Sequence, residues 1–95
     1  MPAYLVSMIN ITNPEKYKDY TRVSGAIVAQ YGGKFLARGG ERAVMEGGLD
    51  YARVVIVEFP SMQAAKTFYN SPEYSGARAK RAGAADFNVV IAEGI

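Results

Sequence analysis

Apolar positions in this chain follow two different periods, and each change of period predicts a new element. Residues 3–11 are rich in β-branched and aromatic side chains, which is typical of a strand from Ala3 to Ile11. Beyond Pro14 the apolar residues recur every three or four positions, which predicts an amphipathic helix. Its apolar stripe consists of Tyr17, Tyr20, Val23, Ile27, Val28 and Tyr31. The doubled glycine at 32–33 ends this helix, because glycine accepts the left-handed backbone found after a last turn.

Two residues can cap the start of that helix. Thr12 with Glu15 three positions later forms a capping box, and Pro14 is tolerated in a first turn. Asn13 is the alternative cap, one residue later.

A second strand is predicted from Lys34 to Arg38, with a bulge at Gly39 and Gly40 and a continuation from Ala43 to Glu46. Residues 47–50 read as a turn. The next strand begins at Tyr51 or Arg53 and ends at Phe59. Its β-branched run at 54–57 fits a central strand covered on both faces.

The second half repeats the pattern of the first. Ser61 caps a short helix from about Met62 to Tyr69, and Ser71 caps another that reaches about Arg81. Residues 86–93 form the last strand. The order strand, helix, strand, strand, helix, strand predicts one α+β domain over residues 1–95, with ferredoxin-like βαββαβ topology. In that topology the helices cover one face of a four-stranded antiparallel sheet.

The other sheet face is also predicted to be apolar, because Leu5 and Ile9 alternate with Val6 and Met8. A monomer would expose this surface, which soluble monomers rarely do. We therefore expect a homodimer that packs sheet face against sheet face.

Composition narrows the chemistry. The 95 residues include no cysteine and no histidine, which removes disulfides, thiolate nucleophiles and the commonest metal ligand and general base. No calcium loop and no glycine-rich phosphate loop occurs, so neither a metal nor a cofactor is expected. A net charge of +2 and a central strand without stacking aromatics argue against nucleic acid. No signal peptide or membrane span is apparent, so a cytoplasmic protein with no membrane partner is the expectation.

Five stretches of the chain form a distinctive set: P-E-K-Y-K-D-Y (14–20), Y-G-G-K-F-L-A-R-G-G (31–40), V-V-I-V-E-F-P-S (54–61), F-Y-N-S-P-E-Y (68–74) and the terminal E-G-I. Together they resemble domain-of-unknown-function family 1330. The resemblance spans essentially the whole chain. It implies the dimeric α+β barrel superfamily and hence a homodimer of ferredoxin-like subunits. The superfamily includes cofactor-independent monooxygenases, isomerases and plain binding modules, so the resemblance leaves the chemistry open.

Arg38 and Glu58 are the first candidate site residues. Both interrupt apolar strands that should be neighbours, so a cross-strand pair is expected, and an unpaired carboxylate among apolar residues would be costly. The pair is either architectural or part of a pocket in which Arg38 binds an anionic or carbonyl group and Glu58 orients it or moves a proton.

Tyrosines are the second group of candidates. Tyr17 and Tyr20 lie on the helical stripe, and Tyr69 and Tyr74 flank the turn between the last two helices. They either pack in the core with their hydroxyls at its rim or line a pocket for a flat small molecule between helices and sheet. Tyr69 is then a candidate catalytic donor beside Glu58.

Two functions follow from these alternatives. The first is a homodimeric module that binds a small organic molecule, anionic or aromatic. The alternative is a cofactor-independent monooxygenase- or isomerase-like enzyme that acts on a small organic acid or cyclic carbonyl compound. The absence of histidine, cysteine and any metal pattern favours binding.

Overall fold

The computed structural model of the chain describes residues 1–48 and 51–95. The elements in these residues follow in the order β1 (Ala3–Ile11), α1 (Pro14–Gln30), β2 (Lys34–Arg38), β3 (Arg53–Phe59), α2 (Met62–Tyr69), α3 (Pro72–Lys80) and β4 (Ala85–Glu93). The predicted element order is confirmed. Of the two predicted starts for the central strand, Arg53 is the one observed. No described helix has both the length and the apolar character needed to cross a membrane.

The four strands form one antiparallel sheet in the order β2-β3-β1-β4. Leu5 lies opposite Val57 on one side and Ile91 on the other, so β1 occupies the interior of the sheet with β3. This arrangement is the predicted ferredoxin-like topology, with β2 and β4 at the edges.

Side-chain caps fix where the helices begin. The Asn13 side chain accepts a hydrogen bond of 3.2 Å from the Lys16 backbone amide, so Asn13 rather than Thr12 caps α1. Ser61 and Ser71 do the same for α2 and α3, accepting from Ala64 at 3.0 Å and Tyr74 at 3.1 Å. Each cap satisfies an amide that has no partner within its own helix.

The bulge in β2 lies earlier than predicted. Phe35 pairs with Val57 and Ala37 pairs with Ile56, which leaves Leu36 as the extra residue. The predicted continuation of this strand from Ala43 to Glu46 is wrong. Gly39 takes a positive φ of 72° and the chain leaves the sheet there, so residues 41–48 are exposed and belong to no strand. Of the predicted turn at 47–50, Leu49 and Asp50 lie outside the described residues.

The core lies between the three helices and one face of the sheet, which we call the inner face. Its largest fully buried side chains are Phe59, Phe68 and Ile9. Phe68 stacks at 4.3 Å from Tyr74 and 5.1 Å from Phe59, measured between ring centroids. The aromatic side chains of α2, α3 and β3 thus form a single packed cluster.

The other face of the sheet, the open face, carries none of the helices found in the described residues. One row of residues crosses all four strands on it: Ala37, Ile56, Val6 and Val90. Val90 is 58% exposed. The open face therefore carries an apolar row across its middle, as the strand patterns predict.

Candidate functional site

A cavity of about 40 Å³ lies between α1 and the inner face of the sheet. Its walls are mostly apolar and aromatic, with a few hydroxyls and two guanidinium groups directed into it. The lining residues are Leu5, Ser7, Ile9, Tyr17, Tyr20, Thr21, Ser24, Val28, Phe35, Arg38, Arg53, Val55, Val57, Phe68, Tyr74 and Phe87. A space of this size holds roughly three water molecules. An apolar wall with few convergent polar groups is the usual composition of a small-molecule site.

Three of the predicted tyrosines line this cavity. The hydroxyls of Tyr20 and Tyr74 share a buried hydrogen bond of 2.6 Å. Burial raises the pKa of Tyr20 well above its ordinary value, and the Tyr74 hydroxyl raises it further. Tyr20 is therefore a neutral group that offers and accepts hydrogen bonds at any physiological pH.

Tyr17 differs from Tyr20 in its charged neighbours. Burial raises the pKa of Tyr17, while the positive charges of Arg53 and Arg81 and a hydrogen bond from Arg53 act in the opposite direction. A phenol beside guanidinium groups is a polarised donor. Tyr17 and Arg53 thus form a polar corner of an otherwise apolar cavity.

Arg38 reaches the cavity because of the bulge at Leu36. Side chains alternate faces along a strand, so in a regular β2 Arg38 would share the open face with Lys34. The extra residue reverses that alternation, and Arg38 lies opposite Val55 on the inner face. Its guanidinium stacks 4.2 Å from the ring centroid of Phe35.

Arg53 lines the same cavity and was not predicted as a site residue. It lies at the start of β3 and has the same parity as Val55 and Val57, whose side chains face the helices. This shared parity was the sequence signal that could have identified Arg53 as a residue of the inner face. A strand-terminal arginine ordinarily points to solvent, whereas here the guanidinium packs over the backbone of Gly39.

Two serines were also missed. Ser7 and Ser24 are each 5% exposed, and both line the cavity. Ser7 lies between the inward-facing Leu5 and Ile9, and Ser24 lies one helical turn after Tyr20. Extending the strand and helix periods through these polar residues would have found them.

The predicted pairing of Arg38 with Glu58 is wrong. The register places Glu58 opposite Lys34 and Tyr4, at the far end of β3 from Arg38. Parity puts Glu58 on the open face, where it is half-buried. The expectation that Glu58 needs a buried partner assumed a strand covered on both faces, and in the described chain only the inner face is covered.

Tyr69 lies apart from the cavity. It lines a shallow depression with Val89 and Ile91 instead, and the Arg78 guanidinium stacks 4.4 Å from its ring centroid. The structure thus brings Arg38, Tyr17, Tyr20 and Tyr74 together and leaves out Glu58 and Tyr69.

The basic residues at the end of α3 pack mostly against aromatic rings. The Arg81 guanidinium stacks 3.6 Å from the ring centroid of Phe87, and Arg78 covers Tyr69. Lys80 alone of this group is exposed. The Asn10 side chain bonds to backbone, accepting a hydrogen bond of 2.9 Å from the Ala52 amide.

Comparison with known proteins identifies relatives but no activity for this chain. The family model described as domain of unknown function, DUF1330, matches residues 2–95. No curated protein matches the sequence significantly.

Solved structures share the fold at low identity. The RPA0582 protein of unknown function from Rhodopseudomonas palustris is 24% identical with a TM-score of 0.76, covering 99% of this chain and 82% of its own. A dimeric ferredoxin-like protein of unknown function from Jannaschia sp. CCS1 is 14% identical with a TM-score of 0.71, covering 99% and 100%. SnoaB from Streptomyces nogalater, a cofactor-independent oxygenase, is 13% identical with a TM-score of 0.70, covering 99% and 93%. At these identities the likeness is one of fold.

Proposed function

Because the chain belongs to the DUF1330 family, whose description names no activity, its function must be argued from its own cavity, and we propose that it binds a small organic molecule there. The observation that supports this proposal is the composition of the cavity wall. Apolar side chains such as Val28 and Val55 surround a few convergent polar groups, among them the Tyr20–Tyr74 hydroxyl pair and Ser24. An apolar wall that carries a few convergent polar groups is the usual composition of a small-molecule site.

Binding is favoured over catalysis by where the acidic residues lie. Glu58, the predicted proton acceptor, belongs to the open face, and no carboxylate lines the cavity among the described residues. The oxygenase alternative rests on a fold shared with SnoaB at 13% identity. The tyrosines and arginines of the cavity can bind and orient a ligand with the groups they carry.

We also propose that the chain works as a homodimer, with the open faces of two copies packed together. The apolar row through Val6, Ile56 and Val90 supports this, since a monomer would leave it in water. The Jannaschia protein of the same fold is dimeric.

The ligand proposal is tested by filling the cavity. Ser24→Leu places a larger apolar side chain in the cavity, at a stability cost of about 1–3 kcal/mol for overpacking. The matched control is Ala26→Leu, two residues along α1 and exposed. Native mass spectrometry of the purified unmodified protein is expected to show a bound small molecule, which is present in Ala26→Leu and lost in a folded Ser24→Leu.

Thermal unfolding of all three proteins separates loss of ligand from loss of fold. A ligand retained in full by Ser24→Leu would place the binding site elsewhere and contradict the proposal.

A further inference from the structure

Two guanidinium groups reach the cavity, and no acid accompanies them. Arg38 from β2 and Arg53 from β3 both line it. The ion pairs within the described residues, Lys18–Glu15 and Arg22–Asp19, lie on the exposed face of α1. Aspartate and glutamate are absent from the described cavity wall. An uncompensated pair of cations beside an apolar space favours an anionic occupant.

The backbone at Gly39 makes room for one of these guanidinium groups. A Cβ at Gly39 would overlap the Arg53 guanidinium, so a glycine at this position lets the Arg53 side chain lie across the end of β2. Gly25 of α1 lies beside Arg38, whose Nη2 would be 3.4 Å from a Cβ there. Gly39 directly follows Arg38 in the chain. The Arg53 guanidinium therefore packs beside the backbone next to Arg38.

Arg53 retains donor capacity that the protein does not use. Its Nε is buried and has no acceptor among the described residues. Leaving a buried donor without an acceptor costs free energy. An acceptor that enters the cavity would recover that free energy, and a carboxylate matches the planar fork of a guanidinium with two oxygens.

We propose that the ligand is a small organic monocarboxylate, whose carboxylate binds Arg53 and Arg38 and whose apolar body contacts the aromatic wall. This inference rests on the proposed function and adds the ligand's chemical class. Tyr17 lies in the same polar corner as Arg53 and supplies a further donor. Phe35, under the Arg38 guanidinium, forms part of the wall that the body contacts.

The size of the cavity sets the scale of this acid. With about 40 Å³, room for roughly three water molecules, the cavity fits a short apolar body, and a ring fits only where the Arg38 side chain moves outward. Arg38 is exposed, so its side chain can move outward to admit the ligand and return over it. Inorganic phosphate lacks an apolar body and gains nothing from Leu5 or Val55, which separates it from the proposed class.

The test uses two acids, each with its neutral amide: butyrate with butyramide, and benzoate with benzamide. The unmodified protein, freed of any bound ligand, is titrated with each probe. The chemical shifts of its backbone N–H groups report binding and locate the site at residues such as Val28 and Val55. At least one acid is expected to bind about 10- to 100-fold more tightly than its amide, the usual effect of charge-assisted hydrogen bonds. In Arg53→Met the affinity for that acid is expected to fall by the same factor, while the affinity for its amide is expected to stay unchanged.

Two further variants are measured beside Arg53→Met, one as a charge control and one as a second change at the cavity. Arg22→Met removes an equal charge from the exposed face of α1 and is expected to change nothing. Arg38→Met replaces an exposed side chain and is expected to weaken the acid even if Arg53→Met does not fold.

Each opposite outcome has a distinct meaning. Equal binding of acid and amide would overturn the monocarboxylate inference and leave the binding function intact. Inorganic phosphate is titrated in the same way, and binding as tight as that of either acid would overturn the carboxylate class. Failure of both acids and both amides to bind would overturn the inference and count against the proposed function as well.

Discussion

The hydroxyls of Tyr20 and Tyr74 share a hydrogen bond. The burial of Tyr20 makes the stability of the fold depend on pH. In the unfolded chain Tyr20 has an ordinary pKa of about 10. Because burial raises the pKa of Tyr20 in the folded protein, the folded state keeps the hydroxyl proton at a pH where the unfolded chain loses it. The stability that this tyrosine contributes is therefore complete below about pH 10 and is lost as the pH rises above that value.

Tyr20→Phe is expected to reduce that pH dependence. At pH 8 the variant should lose about 1 kcal/mol of unfolding free energy, because the Tyr74 hydroxyl loses its partner. Between pH 8 and pH 11 its stability should fall less than that of the unmodified protein. Urea unfolding at the two pH values measures both effects. The double variant Tyr20→Phe/Tyr74→Phe should cost less than the sum of the single changes, and an unchanged pH dependence in Tyr20→Phe would contradict the assignment.

At the scale of elements, two glycines near the same helix predict opposite effects on stability. Gly25 lies inside α1, where glycine costs about 1 kcal/mol relative to alanine. A Cβ there meets the Arg38 side chain at 3.4 Å, an ordinary contact. Gly33, just after the helix, would bring a Cβ to 2.7 Å from Val28 Cγ1 and 2.8 Å from the Phe59 ring.

We therefore expect Gly25→Ala to stabilise the protein by about 0.5–1 kcal/mol and Gly33→Ala to destabilise it by about 1–3 kcal/mol. Each variant is the other's control, since both add one methyl group near α1. Chemical denaturation gives the two free energies. A destabilised Gly25→Ala would show that Arg38 is packed against the helix too tightly to adjust.

The elements also show what a sequence can predict about this site. Periodicity placed Tyr17 and Tyr20 on the buried side of α1, and the structure puts both at the cavity. A regular strand period does not describe β2, because its backbone is irregular. The bulge at Leu36 moves Arg38 to the inner face, and the departure of the chain at Gly39 removes the predicted continuation of β2.

Glu58 and Arg53 illustrate a second limit, since both are charged residues in one strand. Which face each occupies follows from parity, but which face the helices cover is a tertiary fact. The assumption of a strand covered on both faces made Glu58 a buried acid in need of a partner. The structure instead gives the inner face to Arg53 and the open face to Glu58.

At the scale of the whole molecule, the open face is the surface through which we propose that two copies pack. Two copies packed through the row of Val6, Ile56 and Val90 would place these side chains in a dry interface. A carboxylate introduced there would have to be buried without a partner, which costs several kcal/mol. Val90 is the best position for it, because at 58% exposure it contributes little to the fold of a single chain.

Val90→Glu is accordingly expected to turn a dimer into a folded monomer at micromolar concentration. Ala26→Glu adds the same charge to the exposed side of α1 and should leave the dimer unchanged. Light scattering coupled to size-exclusion chromatography gives the mass of each species, and circular dichroism checks the fold. A Val90→Glu protein that stays dimeric would move the interface away from the open face, and that face would then need another explanation for its apolar surface.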